Sequence, residues 1–398
     1  MTEPMTVDLS DADFWQDPYP TWQQARRQSR TARTTQGEPI VLAADDVDTL
    51  NTDPVFAQLG LDALRRLGIT EGPLYEWRGL TLAANDGEVH ERLRALVGRA
   101  FTPRRVERLR AGLYDRAKAI LESATETGRF DVVADYAHDL PLWLLCQFLG
   151  LPLGDYTDIA RFLVGTEEGF AEPMTPERRA RAEGGITALY DYVEGLVDDR
   201  LARPREDLIT DLVQSEREGR LDRAELLALV VNVIGGAVGS TRAGIANSVY
   251  LLLAHREQAE WVRDDHSRVR LAVEECLRYA PPFRAGRRKA VVATSRFGLE
   301  LQPGDTVYLA RPAVNRDPKR WSDPERFDVS RPEQRHYSFG YGPHFCLGQA
   351  LARLDIQVAV QAMVERIDDL ELLIERPVRV PFTTDEQIEA LPVAVARR

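Results

Sequence analysis

Phe339-Gly340-Tyr341-Gly342-Pro343-His344-Phe345-Cys346-Leu347-Gly348 is the stretch that decides the fold. It sets one cysteine in a glycine-rich loop that runs straight into a helical pattern, an arrangement suited to holding a metal-bound thiolate. Gly340 and Gly342 permit positive φ and close approach to a flat ligand, while Gly348 lets the next helix lie beside that ligand. A helix starting at about Leu347 would aim its free N–H groups and positive end at the sulfur, favouring thiolate over thiol. A lone cysteine beside glycines is more often a small buried hydrophobe. The loop therefore has to be weighed with the rest of the chain.

The 398 residues are 44% hydrophobic and 29% charged, enough apolar material for a substantial core. Length alone suggests two or three domains. The motifs below run from His90 to Gly348 and would all have to meet at one ligand, so a single domain over 1–398 is expected. A formal net charge of −12 weighs against binding to nucleic-acid phosphates. Met1 to Asp11 is polar and acidic, unlike a signal peptide, and no segment reads as a membrane span. Cys146, Cys276 and Cys346 have no paired spacing, which argues against disulfides or a zinc cluster. A cytoplasmic monomer without nucleic-acid or membrane partners is the expectation.

The chain reads mainly as helices punctuated by proline and glycine. Arg94 to Ala124 is broken at Thr102-Pro103 into two helices. Leu140 to Leu149 is a short apolar helix ended by Gly150, and Arg178 to Ala202 a longer amphipathic one. The longest pattern runs from Asp222, which with Glu225 forms a capping-box signature, to about His255. Strand character is confined to short runs. Lys289 to Thr294 and Thr306 to Ala310 flank Pro303-Gly304-Asp305, as in a hairpin or small sheet.

Phe339, Gly340, Gly342, His344, Cys346 and Gly348 fill every specified position of Phe-Gly-x-Gly-x-His-x-Cys-x-Gly. The decapeptide therefore resembles the haem-binding loop of the cytochrome P450 family, and the resemblance covers nearly the whole chain from Pro18-Tyr19-Pro20 onward. It implies a mainly α, single-domain fold with small β-sheets, and heme b (iron protoporphyrin IX) ligated by Cys346. His90 and Arg94, four apart on one helix face, match the family's propionate-neutralising positions, as do Arg287 and His344. Arg288 beside Arg287 leaves that register open by one residue. Glu275 and Arg278 match the family's Glu-x-x-Arg element, with Arg326 of Asp323-Pro324-Glu325-Arg326-Phe327 as third partner. Their implied role is structural.

Gly235, Gly236, Gly239 and Gly244 lie inside the long helical pattern, each costing roughly 1 kcal/mol relative to alanine. The family places a local distortion here, facing the iron and usually carrying an acid followed by a threonine. Its six positions fall on Gly236 to Thr241, with Gly236 among the haem contacts. Gly239 stands where the acid is expected and Ser240 where the threonine is. Ser240, or Thr241 if the register moves by one, would be the hydroxyl that helps deliver protons during dioxygen cleavage.

The resemblance implies a soluble bacterial-type haem-thiolate monooxygenase. It would insert one oxygen atom of dioxygen into a small organic substrate, a natural product or aromatic, with electrons from NAD(P)H through a reductase and a ferredoxin-type carrier. Because Gly239 removes the acid, oxidative coupling, desaturation, nitration and peroxide-driven turnover stand as alternatives, and a non-catalytic haem sensor as a rival of another class. Trp77, Leu80, Phe170, Phe283 and Phe382, with Arg284 and Glu168, are the expected cavity walls, Arg284 as an anchor for a substrate carboxylate. Arg99, Arg104, Arg105 and Arg108 would form a basic face for an acidic carrier.

Overall fold

A computed structural model describes residues 3–170, 173–332 and 335–396. Helices dominate. Those used below are α1 Pro73–Gly79, α2 Gly87–Gly98, α3 Arg110–Thr127, α4 Asp139–Leu149, α5 Tyr156–Glu168, α6 Pro176–Ala202, α7 Arg223–Ala237, α8 Gly239–Ala254, α9 Val269–Tyr279 and α10 Gln349–Val364. The break after α2 falls where the sequence places it: Thr102 accepts a hydrogen bond from the Arg105 N–H, and Pro103 opens a short helix. Likewise α4 ends on Gly150 in the left-handed region.

The long helix begins as read, with Asp222 and Glu225 bonding reciprocally in a capping box. It does not run through unbroken. Regular geometry stops at Val238, and α8 resumes at Gly239. Together Arg223–Ala254 is long and apolar enough to cross a membrane, contrary to the sequence expectation that no segment is. The reason is its central place in the protein, since nearly every side chain from Ala243 to Leu253 is buried against α9, α10 and neighbouring elements.

The principal sheet has six strands: β1 Thr6–Val7, β2 Thr31–Thr34, β3 Pro39–Val41, β4 Phe56–Ala57, β5 Ala285–Ala290 and β6 Thr306–Ala310. Their spatial order is β1-β2-β3-β6-β5-β4. The expected pairing of the last two is antiparallel, Arg287 opposite Tyr308 and Lys289 opposite Thr306. Their connection is not a tight hairpin, because Thr294–Arg296 and Leu299–Leu301 form a separate two-stranded ribbon within it. One apolar core lies between α3, α8, α9 and α10, and a second around α4 to α7.

Candidate functional site

The cysteine loop is built by backbone bonds within itself. Cys346 N–H donates to the Phe339 carbonyl (2.9 Å), Gly340 N–H to Tyr337 (2.9 Å) and Phe345 N–H to Gly342 (3.0 Å). Gly342 has φ +75°, and a Cβ there would lie 2.6 Å from the Asn51 carbonyl, so this position admits glycine alone. The α10 helix begins two residues later than expected, with Gly348 preceding its first turn.

Cys346 is solvent-accessible although protein surrounds it densely. Burial raises the thiol pKa against the opposing pull of the Gly348 N–H, Arg94, Arg353 and Arg311. The helix terminus alone does not secure the thiolate, as the sequence had suggested it would. A bound metal cation would.

Cations gather around the same loop. His90 is buried, its ring 4.1 Å from that of His344, and burial with His344 and Arg94 nearby pushes its pKa down to about 4. Arg94 donates to the Phe345 carbonyl (2.6 Å), and His344 meets Asp86 (2.8 Å). The β5 strand settles the open register. Arg287 turns outward to Glu38 (3.2 Å) and the Tyr308 ring, whereas Arg288 turns inward and is buried. Arg288 is thus the inward cation, correcting Arg287, because successive strand residues face opposite ways.

Arg311, which sequence reasoning missed, lies beside Gly286 and over the Phe283 ring, within electrostatic reach of Cys346 and Arg288. Burial pushes both Arg288 and Arg311 down to about 10, and among the described residues neither makes an ion pair with a carboxylate. Buried guanidinium groups short of anions suit a ligand that brings carboxylates. The donor set, one accessible sulfur with these cations beside it, fits haem.

The expected triad needs one correction. Glu275 and Arg278 are buried and paired through two bonds (2.7 and 2.8 Å), and Arg278 also donates to the Asn315, Pro324 and Arg326 carbonyls. Arg326 contributes only that carbonyl. Its side chain is 67% exposed, facing Asp328, and the second cation on Glu275 is Arg331 (3.2 Å). Beside it, burial raises the Glu274 pKa, but His336 (3.1 Å) and Arg353 (2.6 Å) outweigh that and bring it to about 2. Two adjacent carboxylates on α9 thus hold the approach to the cysteine loop and the start of α10.

Asn232, Val233, Gly236 and Ala237 of α7 and Ser240 of α8 form a stripe less buried than the rest of this central helix. A Cβ on Gly236 would touch nothing within 4 Å. The stripe crosses the Val238 break. Thr241 is buried and donates to the Ala237 carbonyl (2.9 Å) across that break, while Ser240 is half-buried on the accessible side.

Several expected wall residues have other employment. Trp77 is packed edge-on to Phe170, and Glu168 is held by Arg178 and Arg181. Arg284 is fully buried on Glu386 (2.6 Å) and the Thr383 and Val380 carbonyls, so it is not a free anchor. Arg78, absent from the sequence reading, is the opposite case. Its guanidinium lies 4.2 Å over the Phe170 ring, with Nη1 buried and unpartnered among the described residues, and burial lowers its pKa to about 10. Leu80, two residues on, reaches Asn232 of α7 through its carbonyl.

Comparison with known proteins agrees with this geometry. The family model described as Cytochrome P450 matches residues 181–368. Luteothin monooxygenase of Streptomyces thioluteus is 32% identical over 378 residues, 92% of this chain and 91% of that protein. The 6-deoxyerythronolide B hydroxylase of Saccharopolyspora erythraea is 36% identical over 298 residues, 74% of this chain and 72% of that one. Among solved structures, that of CalO2 superposes with a TM-score of 0.94, at 30% identity and covering 99% of both chains. The fold and these relatives define the class, an oxidoreductase. The chain belongs to the cytochrome P450 family, and it is an enzyme of the monooxygenase type.

Proposed function

We propose that Cys346 ligates the iron of heme b, with Arg288, Arg311, His90, Arg94 and His344 receiving its propionates and Phe339, Gly340 and Gly348 flanking it. The bound group supplies dioxygen activation. The protein residues hold the ring and its charges, keep water out through the packed face of α8, and present Ser240 and Thr241 at the helix break. The reaction is insertion of one oxygen atom of dioxygen into a small organic substrate of natural-product type. Electrons come from NAD(P)H through a ferredoxin-type carrier to a monomeric cytoplasmic enzyme.

Arg78 sets the substrate class within this proposal. A guanidinium stacked on Phe170, with Nη1 buried and unpartnered among the described residues, accepts a substrate carrying a carboxylate or a strongly polar carbonyl.

One observation carries the reading: an accessible, densely enclosed thiol near Arg288 and Arg311, which among the described residues have no carboxylate ion-pair partner. The reduced carbon monoxide difference spectrum tests it. Wild type should give the red-shifted thiolate band and Cys346→Ala should lose it; a band that survives the substitution overturns the ligand assignment. Products formed under labelled dioxygen should retain the label, whereas coupling or desaturation would leave them unlabelled.

A further inference from the structure

Gly239 leaves the helix without an acid, yet acids surround it in space. A Cβ built on Gly239 would lie 2.8 Å from Oδ2 of Asp385 and 3.0 Å from Oε1 of Glu167. Neither belongs to that helix: Asp385 comes from the segment after Phe382, and Glu167 from the last turn of α5. The space a helix-borne carboxylate would need is taken by two carboxylates arriving from the side. Glycine at 239 is the residue that admits them.

The pair also runs from outside to inside. Glu167 is 29% exposed and meets Arg242 of α8 at 3.0 Å, whereas Asp385 is buried. Asp385 is fixed where it stands. Its carbonyl accepts from the Thr383 hydroxyl (2.8 Å), its backbone bridges to Phe283, and the next residue, Glu386, is clamped by Arg284 and Arg379.

Two carboxylates beside one point do not both remain ionised. Burial, and then the charge of Glu167, pushes Asp385 up to about 7, against the pull of Arg242, Gln387 and Arg284. His138, just before α4, also feels Arg242 and Glu167, and Arg311 feels Asp385.

We propose that Glu167 and Asp385 form a proton relay that enters the broken helix from the side, replacing the acid missing at Gly239. Glu167 exchanges protons with solvent. Asp385 passes a proton to the break at Val238, where Ser240 and Thr241 stand, and regains one from Glu167, so no net charge is left behind. Both are relay residues acting through those hydroxyls, and the inference rests on the haem-thiolate reading above.

The test uses the full-length protein and the variants Asp385→Asn and Glu167→Gln. Infrared titration should show in wild type a protonated carboxyl that ionises near 7. That band should vanish in Asp385→Asn, and in Glu167→Gln it should ionise at lower pH, because the repelling charge is gone. In haem-loaded protein, hydrogen peroxide-driven oxidation of guaiacol should follow the same ionisation. Asp385→Asn should lower the rate about 10- to 100-fold and flatten its pH profile, and Glu167→Gln should move that profile downward with the infrared band. The reduced carbon monoxide band separates the two readings: its absence in wild type overturns the haem-thiolate assignment, whereas an intact band with unchanged rate and profile in Asp385→Asn overturns the relay. If Asp385→Asn does not fold, Glu167→Gln decides, and an unmoved band and profile there overturn the proposal.

Discussion

Arg78, whose Nη1 is buried and unpartnered among the described residues, and Asp385, which is buried, are ionisable groups that each leave a measurable trace. For Arg78 the trace is selectivity. A charge-assisted hydrogen bond from a desolvated guanidinium contributes about 1.5–3 kcal/mol. Arg78→Met should therefore weaken acidic ligands about 10- to 100-fold, read from the haem spectral shift on titration, while leaving their neutral esters nearly unaffected. Equal loss for acids and esters would reject the anchor. For Asp385 the trace is stability. Its folded pKa is raised above its unfolded value, so its contribution is fully present at low pH and is lost as pH rises through about 7. Asp385→Asn should accordingly gain stability relative to wild type above that point, by an amount on the order of 4 kcal/mol at most, and lose the gain progressively as pH falls from about 7 toward the ordinary carboxylate value of 3.8. Urea melts at about pH 8 and about pH 4 check the sign.

Elements decide which side chains the sequence pattern could and could not place. Gly342, Cys346 and the Asp222–Glu225 capping box were legible because local backbone geometry demands particular residues there. Arg288 and Arg331 were not. Which of two adjacent arginines faces inward depends on strand register, and whether Arg326 or Arg331 turns back onto Glu275 depends on the path of an irregular loop. The corrected triad makes a contrast available. Arg331→Met strips a cation from a buried carboxylate that keeps Arg278, costing about 1–3 kcal/mol. Arg326→Met removes an exposed side chain and should stay within about 0.5 kcal/mol of wild type. Thermal unfolding of the two variants compares them directly, and equal losses would restore Arg326 to the triad. The acids beside Gly239 were invisible for a related reason: they come from segments more than seventy residues away on either side, so no window around the helix contains them.

Across the whole molecule, charge is distributed against its net sign. The chain carries −12, yet Arg99 and Arg104, on the segment joining α2 to α3, are exposed and make no ion pair among the described residues. Their neighbours are partly neutralised, Arg105 by Asp211 (3.0 Å) and Arg108 more distantly by Glu206 (3.8 Å). This segment leads directly from α2, whose Arg94 bonds the cysteine loop at Phe345, and its Phe101 ring lies against Gly348, so these charges stand on the thiol side of the molecule. An acidic carrier meeting that face would gain mainly in encounter rate, because exposed charges act at long range and are screened beyond about 8 Å at physiological salt. Reversing both charges, Arg99→Glu with Arg104→Glu, should slow reduction by an acidic ferredoxin about 10-fold at low salt and scarcely at all at high salt. Rapid-mixing kinetics across a salt series measure this, and a salt-independent loss would point to altered packing in place of steering. The same variant should keep its carbon monoxide band, since among the described residues neither arginine side chain bonds the loop that carries Cys346.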